Sequence, residues 1–240
     1  EVTVIDPAPA LHEHIEAITQ ASANIKQILL THTHPDHSPG TRLLQDNIGV
    51  PVFALITESS KDQDITFTPE RILIDGEIIA NEYYSIEVIH TPGHASNHLC
   101  YLLKDEKLLF TGDHIMDGST VVIAPPDGSM QDYIDSLAKL KEYDLNKIAP
   151  GHGKLIDEPY AVVDWIIKHR FERESKVIDV LKQHNSGDLN TLVKDIYADV
   201  DSMLHPVAKW SLESHLVKLM DEGVVTRKND KFFYIGDPSV

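Results

Sequence analysis

Thr31-His-Thr-His-Pro-Asp-His37 is the stretch on which the reading of this chain turns. His32, His34, Asp36 and His37 put four metal-capable side chains within six residues, a density that packing alone does not explain. In extended backbone side chains alternate faces, so His32 and His34 point the same way, and the following turn can bring Asp36 and His37 to an adjacent position. Such a run could serve two neighbouring metal ions. Ile28-Leu29-Leu30 ahead of it reads as a short buried strand, and Ser38-Pro39-Gly40 opens a helix through about Asn47. The cluster is therefore expected at the carboxyl end of a strand, where α/β sheets hold ligands. A terminal tag would be contiguous and would lack the interleaved Asp.

Working outward, three further segments end an apolar run in a Gly-bearing turn and a ligand-type side chain. They are Ile86-Glu-Val-Ile-His-Thr-Pro-Gly-His94, Leu108-Leu-Phe-Thr-Gly-Asp113 and Ile148-Ala-Pro-Gly-His152. Together these four stations resemble the metallo-β-lactamase superfamily, whose pattern is HxHxDH followed by a His, an Asp and a final His. The resemblance covers about residues 2–157. It implies an α/β fold, an αββα sandwich, with His32, His34 and His94 on one metal, Asp36, His37 and His152 on the other, and Asp113 bridging them. Asp36 and Asp113 are then the carboxylates of the catalytic centre. It also implies a second-layer role for Asp6 in Val4-Ile-Asp-Pro7, for which a helix-capping role before Pro7 is the competing reading. The family's domain usually begins two or three strands before that Asp, so an amino-terminal hairpin is expected ahead of residue 1.

Imidazole and carboxylate donors without thiolate suit two zinc ions best, with iron or manganese able to use the same set. A water bridging two ions about 3.5–4 Å apart is acidified to a pKa near ~7, which supplies a nucleophilic hydroxide at neutral pH. No GxSxG motif is present, and the lone Cys100 lies inside an apolar run. His98 and His114, close to the proposed ligands, are expected to hydrogen-bond a ligand or touch substrate. His90 has weaker grounds for either role. His12, His14, His184, His205 and His215 fall on helices or their ends and are assigned nothing.

A 240-residue chain with 42% apolar content can hold one large domain and a small one. A single cysteine excludes an internal disulfide framework, and no apolar stretch approaches the ~18–20 residues of a membrane span, so a cytoplasmic enzyme is expected. Leu11, His14, Ile15 and Ile18 mark a first amphipathic helix, and Pro51–Leu55 reads as a strand. Thr57–Glu70 reads as a loop near the site. Leu99–Leu103 and Lys107–Phe110 form a hairpin leading to Asp113, and Ser129-Met-Gln-Asp132 is a capping box opening a helix.

After His152 the pattern changes, and a second domain is expected over 158–240, following a catalytic domain over 1–157. Helices over about 159–184, 189–197 and 207–221, then Val224–Thr226 and Phe232–Ile235 around a turn at Asn229-Asp230, give the order of a winged helix. That tail, with Gly112-Asp-His114 and Val122-Ile-Ala-Pro-Pro126, resembles the lactamase-beta-like-two group, whose characterised members are endoribonucleases. The resemblance implies cleavage of a phosphodiester in single-stranded RNA, with RNA contacted by the tail.

Charge tempers that expectation. Residues 1–157 carry 10 Lys and Arg against 24 Asp and Glu, a balance of −14, whereas 158–240 carry 11 against 14, a balance of −3. Polyanion binding normally leaves a basic footprint, and the local excess lies in the wing, where Arg227, Lys228 and Lys231 face one Asp230. The alternative substrate is a small thioester or lactone, as in glyoxalase II relatives. A metal-binding regulatory module contacting DNA is the third reading, disfavoured by the complete ligand set.

Overall fold

The computed structural model describes residues 1–57 and 63–236. Two sheets face each other. The first takes β1 (Val2–Ile5), β2 (Ile25–Leu29), β3 (Val52–Ala54) and β4 (Arg71–Ile72) in the order β1-β2-β3-β4, all parallel. The second takes β5 (Ile78–Ala80), β6 (Ser85–His90), β7 (Leu99–Leu103), β8 (Leu108–Gly112) and β9 (Lys147–Pro150) in sequence order. Its pairings are antiparallel except β8 with β9. Crossovers that return parallel carry helices, which is why α1 (His12–Ala21) and α2 (Gly40–Ile48) flank the first sheet.

Alternation along β7 shows the layering. Leu99 and Tyr101 pack with Leu29, Val88 and Ile86 between the sheets, while Cys100 and Leu102 point to the opposite face. There they meet α3 (Met130–Leu140) and the first turns of α4 (Pro159–His184), through Tyr133, Ile134, Leu137, Val163 and Ile166. A third cluster puts Ile15 and Leu44 of α1 and α2 on Ile28 and Val52. The result is an α/β/β/α sandwich. The expected capping box is present in half: Ser129 Oγ accepts from Asp132 N at 3.3 Å.

The tail has its own core. Val177, Val180 and Leu181 of α4 pack with Leu192 and Ile196 of α5 (Leu189–Ile196), Leu212 and Leu216 of α6 (His205–Asp221), and Val225 and Phe232 of the hairpin β10 (Val225–Lys228) and β11 (Lys231–Tyr234). Gly187 pairs with Phe232 and adds a third edge to the wing. α4 therefore serves both cores, its first half covering the second sheet and its second half entering the winged helix. Of the expected loop over 57–70, residues 58–62 lie outside the described residues. Beyond them Asp64 accepts from Ser38 Oγ at 2.8 Å, directly after the histidine run.

Candidate metal centre

Each station leaves the carboxyl end of its strand: the histidine run after β2, His94 after β6, Asp113 after β8 and His152 after β9. A turn closes behind His34, whose carbonyl accepts from His37 N at 3.0 Å and Ser38 N at 3.2 Å, and this returns His37 toward His32. Gly93 takes φ +140°, and a Cβ there would lie 2.4 Å from Tyr133 Cα, so α3 can approach His94 only because residue 93 lacks a side chain. A Cβ on Gly151 would meet His37 Cε1 at 2.9 Å and Asp113 Oδ1 at 3.1 Å.

The seven side chains come together as two groups. In the first, ligand-type atoms of His32, His34 and His94 lie within 4.8 Å of one another, and in the second so do those of Asp36, His37, Asp113 and His152. Asp113 stands between them: Oδ2 is 3.7 Å from His94 Nε2, while Oδ1 is 3.1 Å from His37 Nε2 and 3.4 Å from His152 Nε2. Asp36 Oδ2 lies 3.2 Å from His152 Nε2. In the first group His34 Nδ1 and His94 Nε2 converge at 3.0 Å.

The donor set fits divalent ions. His32 Nε2 is buried with no hydrogen-bond partner among the described residues, and it belongs to the first group, whose donor atoms converge. Buried polar atoms are seldom left unpaired, and an ion would satisfy this one. Nitrogen and oxygen donors without sulfur match zinc, iron or manganese. Asp36 and His152 are exposed, so the second group opens to solvent on one side, into a cleft of ≈ 540 Å³ whose wall includes Met116, Thr120, Val121 and Val122.

Protonation in the metal-free chain separates the groups. Burial, aided by neighbouring imidazoles, holds His32 well below its ordinary value and brings His94 down to about 4. His34 is also lowered by burial, against the pull of Asp127 and Asp36. His37 goes the other way. Burial disfavours its charge, but hydrogen bonding to Asp113 and Asp6 outweighs this and raises it to about 10.

Asp6 sits behind the centre in a left-handed backbone conformation, φ 51°. Its Oδ1 accepts from Thr31 N at 2.7 Å, and its Oδ2 accepts from Thr31 Oγ1 at 2.6 Å and pairs with His37 Nδ1 at 2.8 Å. Residue 6 is six positions ahead of α1, whose capping position is Leu11, so the capping alternative is excluded. His98 and His114 are fully buried, and neither hydrogen-bonds a proposed ligand among the described residues. His98 Nδ1 pairs with Thr91 Oγ1 at 3.0 Å and its ring lies tilted with its centroid 5.0 Å from that of His32, so its contact with the cluster is packing. The His114 ring rests on Tyr133 at 4.9 Å. His90 Nε2 meets the Ser96 carbonyl. Burial pushes the Cys100 thiol up to about 12, which leaves no ready thiolate. The Val122 carbonyl, which accepts from His94 Nδ1 at 2.7 Å, escaped the sequence reading because main-chain partners carry no side-chain signal.

The family model for the Metallo-beta-lactamase superfamily matches residues 1–152, and that for the Beta-lactamase associated winged helix domain matches residues 189–232. The chain belongs to the metallo-beta-lactamase superfamily. Within it, the chain is 31% identical to the Beta-lactamase-like protein 2 homolog of Caenorhabditis elegans, with 96% of this chain and 79% of that one covered. It is 26% identical to an atrochrysone carboxyl ACP thioesterase of Cryptosporiopsis sp., over 78% of this chain and 56% of the relative. A beta-lactamase domain protein from Burkholderia ambifaria shares the fold at TM-score 0.82 and 16% identity, covering 97% of this chain and 82% of its own. TTHA1623, crystallised in a di-iron-bound form, aligns at TM-score 0.56 and 23% identity, over 65% of this chain and 84% of that one. This metallo-beta-lactamase superfamily hydrolase carries a His/Asp cluster able to bind metal ions. No helix among its described residues is long and apolar enough to cross a membrane.

Proposed function

We propose that this chain is a dinuclear, zinc-dependent hydrolase whose substrate is a phosphodiester in single-stranded RNA. The observation that carries the reading is Asp113, with one carboxylate oxygen facing each ligand group. His32, His34 and His94 would hold one ion, Asp36, His37 and His152 the other, with Asp113 shared. When bound, such a pair acidifies a water, polarises a phosphoryl oxygen and steadies the leaving group. The chain's own residues prepare for this. Asp6 fixes the orientation of His37, the Val122 carbonyl fixes that of His94, and Thr31 Oγ1 lies 3.0 Å from His32 Nδ1. Each contact ties up one ring nitrogen and leaves the other for an ion.

The RNA reading draws support from the wing, where Arg227, Lys228 and Lys231 are exposed in a domain whose charge is nearly balanced. Phosphate contacts release counterions, so the logarithm of RNA affinity should fall linearly with the logarithm of salt concentration. Replacing all three residues with Ala should flatten that slope by roughly three contacts' worth and leave metal content unchanged. The deciding assay offers metal-loaded enzyme short RNAs, bis-p-nitrophenyl phosphate, S-lactoylglutathione and acyl lactones side by side. RNA left intact beside rapid thioester turnover would sink the nuclease reading.

A second reading, thioester or lactone hydrolysis, is favoured by the thioesterase relatives and by the balance of −14 over residues 1–157. Met116, Val121 and Val122 at the cleft suit an acyl chain better than a phosphate backbone. The same panel decides between them.

A further inference from the structure

Val121, Val122 and Ile123 form a short irregular segment between the centre and the tail, and each of the three has one main-chain group engaged. The Val122 carbonyl accepts from His94 Nδ1 at 2.7 Å. On one side of it, the Val121 carbonyl accepts from Arg170 Nη2 of α4 at 2.5 Å. On the other, Ile123 N donates to Ser211 Oγ of α6 at 3.5 Å. The residues flanking the His94 acceptor are thus both fastened to the tail helices, in a stretch with no sheet ladder to hold it.

Arg170 is only 3% exposed, and no carboxylate lies within ion-pair distance of it among the described residues. Its Nε has no hydrogen-bond partner there, and the guanidinium rests 5.2 Å above the Tyr133 ring. Burying an unpaired cation is costly, and a Met or Leu would fill the same space more cheaply. What an apolar side chain could not do is hold the Val121 carbonyl. That hold matters because the Val122 acceptor requires the proton on His94 Nδ1. It leaves Nε2, the atom facing His34 and Asp113, with its lone pair free.

We propose that Arg170 and Ser211 are positioning residues for His94, acting through the Val121–Ile123 main chain, so that α4 and α6 set the metal affinity of the His32/His34/His94 group. This rests on the metal-centre reading above. It also gives the tail a role in the chemistry that is independent of any substrate it contacts, since a ligand that shifts α4 or α6 would change loading of one ion and not the other.

The test uses the full chain, stripped with chelator and titrated with Co2+ alone, following the d–d absorption of each ion. A His94→Ala variant identifies the spectrum of the first-group ion. Arg170→Met should weaken that ion by about 10–100-fold, the range typical for loss of an outer hydrogen bond, and shift its absorption. The other ion should bind as in the parent. Arg170→Lys should restore part of the loss, and Ser211→Ala should weaken the same ion by a smaller factor. Should Arg170→Met not fold, the Lys and Ala variants carry the measurement. Unchanged binding of both ions in the folded variants overturns the proposal. So does equal weakening of both together with a lower melting temperature of the metal-free protein, which marks a purely structural role. A parent protein that takes up no Co2+ at all instead defeats the metal-centre reading.

Discussion

Asp113 has the most to do in this molecule, since its two oxygens address two different histidine groups. Asp113→Ala should therefore lower metal content below two per chain and reduce turnover by at least 10²-fold. Metal analysis alongside activity checks this, and full metal content with normal turnover would refute the shared role. The buried imidazoles make a second prediction. His32, His94 and His114 have folded-state values below the ordinary one, the last at about 3 through burial, so below pH ~6.5 the unfolded chain binds protons the folded one refuses. Each such group costs about 1.4 kcal/mol of stability per pH unit as pH falls from there toward its folded value. His37, raised to about 10, works in the opposite sense, giving stability that is complete below its unfolded value and lost as pH climbs through 10. Below its unfolded value His37 adds no slope, so the lowered imidazoles set the direction there, and the metal-free protein should lose melting temperature steeply between about pH 6 and 4. A flat profile there would contradict the neutral-imidazole assignment.

Among the elements, α3 shows what spacing can and cannot reveal. Its apolar positions Tyr133, Ile134, Leu137 and Leu140 and its Ser129 cap were legible, because helical period and capping chemistry are local. Its contact with Gly93 was not, because a close approach between distant segments leaves only a glycine in the sequence. Gly93→Ala would press a Cβ into the Tyr133 backbone, at a backbone angle that disfavours side chains. It should cost several kcal/mol or loosen His94, read as a lower melting temperature and weaker metal retention. The four strand-end stations were visible as apolar runs ending in ligands, and the structure gathers all seven side chains at one edge of the sandwich. Of the supports behind them Asp6 was legible through the resemblance, whereas the Val122 carbonyl and Arg170 were not. Arg170 lies 49 positions from the carbonyl it holds and reads on its helix as one more solvated charge. The hydrogen bonds expected from His98 and His114 to a ligand are not formed, since nearness in sequence to a ligand says nothing about which side of the strand end a ring occupies.

For the whole molecule, α4 joins what the sequence divided. A chain ending at residue 158 lacks Val163 and Ile166, both fully buried against the second sheet. Each burial is worth about 1.5–3 kcal/mol, a large share of the ~5–15 kcal/mol that holds a domain folded. Truncation there should give an insoluble or loosely packed product, while a chain ending after His184 should keep the sandwich and lose the wing. Circular dichroism and dye binding on the two products test this. Equal folding of both would show that the first half of α4 is dispensable. The shared helix also bears on how the chain is made. As residues 1–157 leave the ribosome, the outer face of their second sheet, with Cys100, Leu102 and Leu109, has only α3 to cover it. Closing the catalytic half therefore waits on synthesis of the segment that begins the tail, so a pause in translation just past His152 would prolong the exposure of a greasy sheet that chaperones, or aggregation, would be first to find.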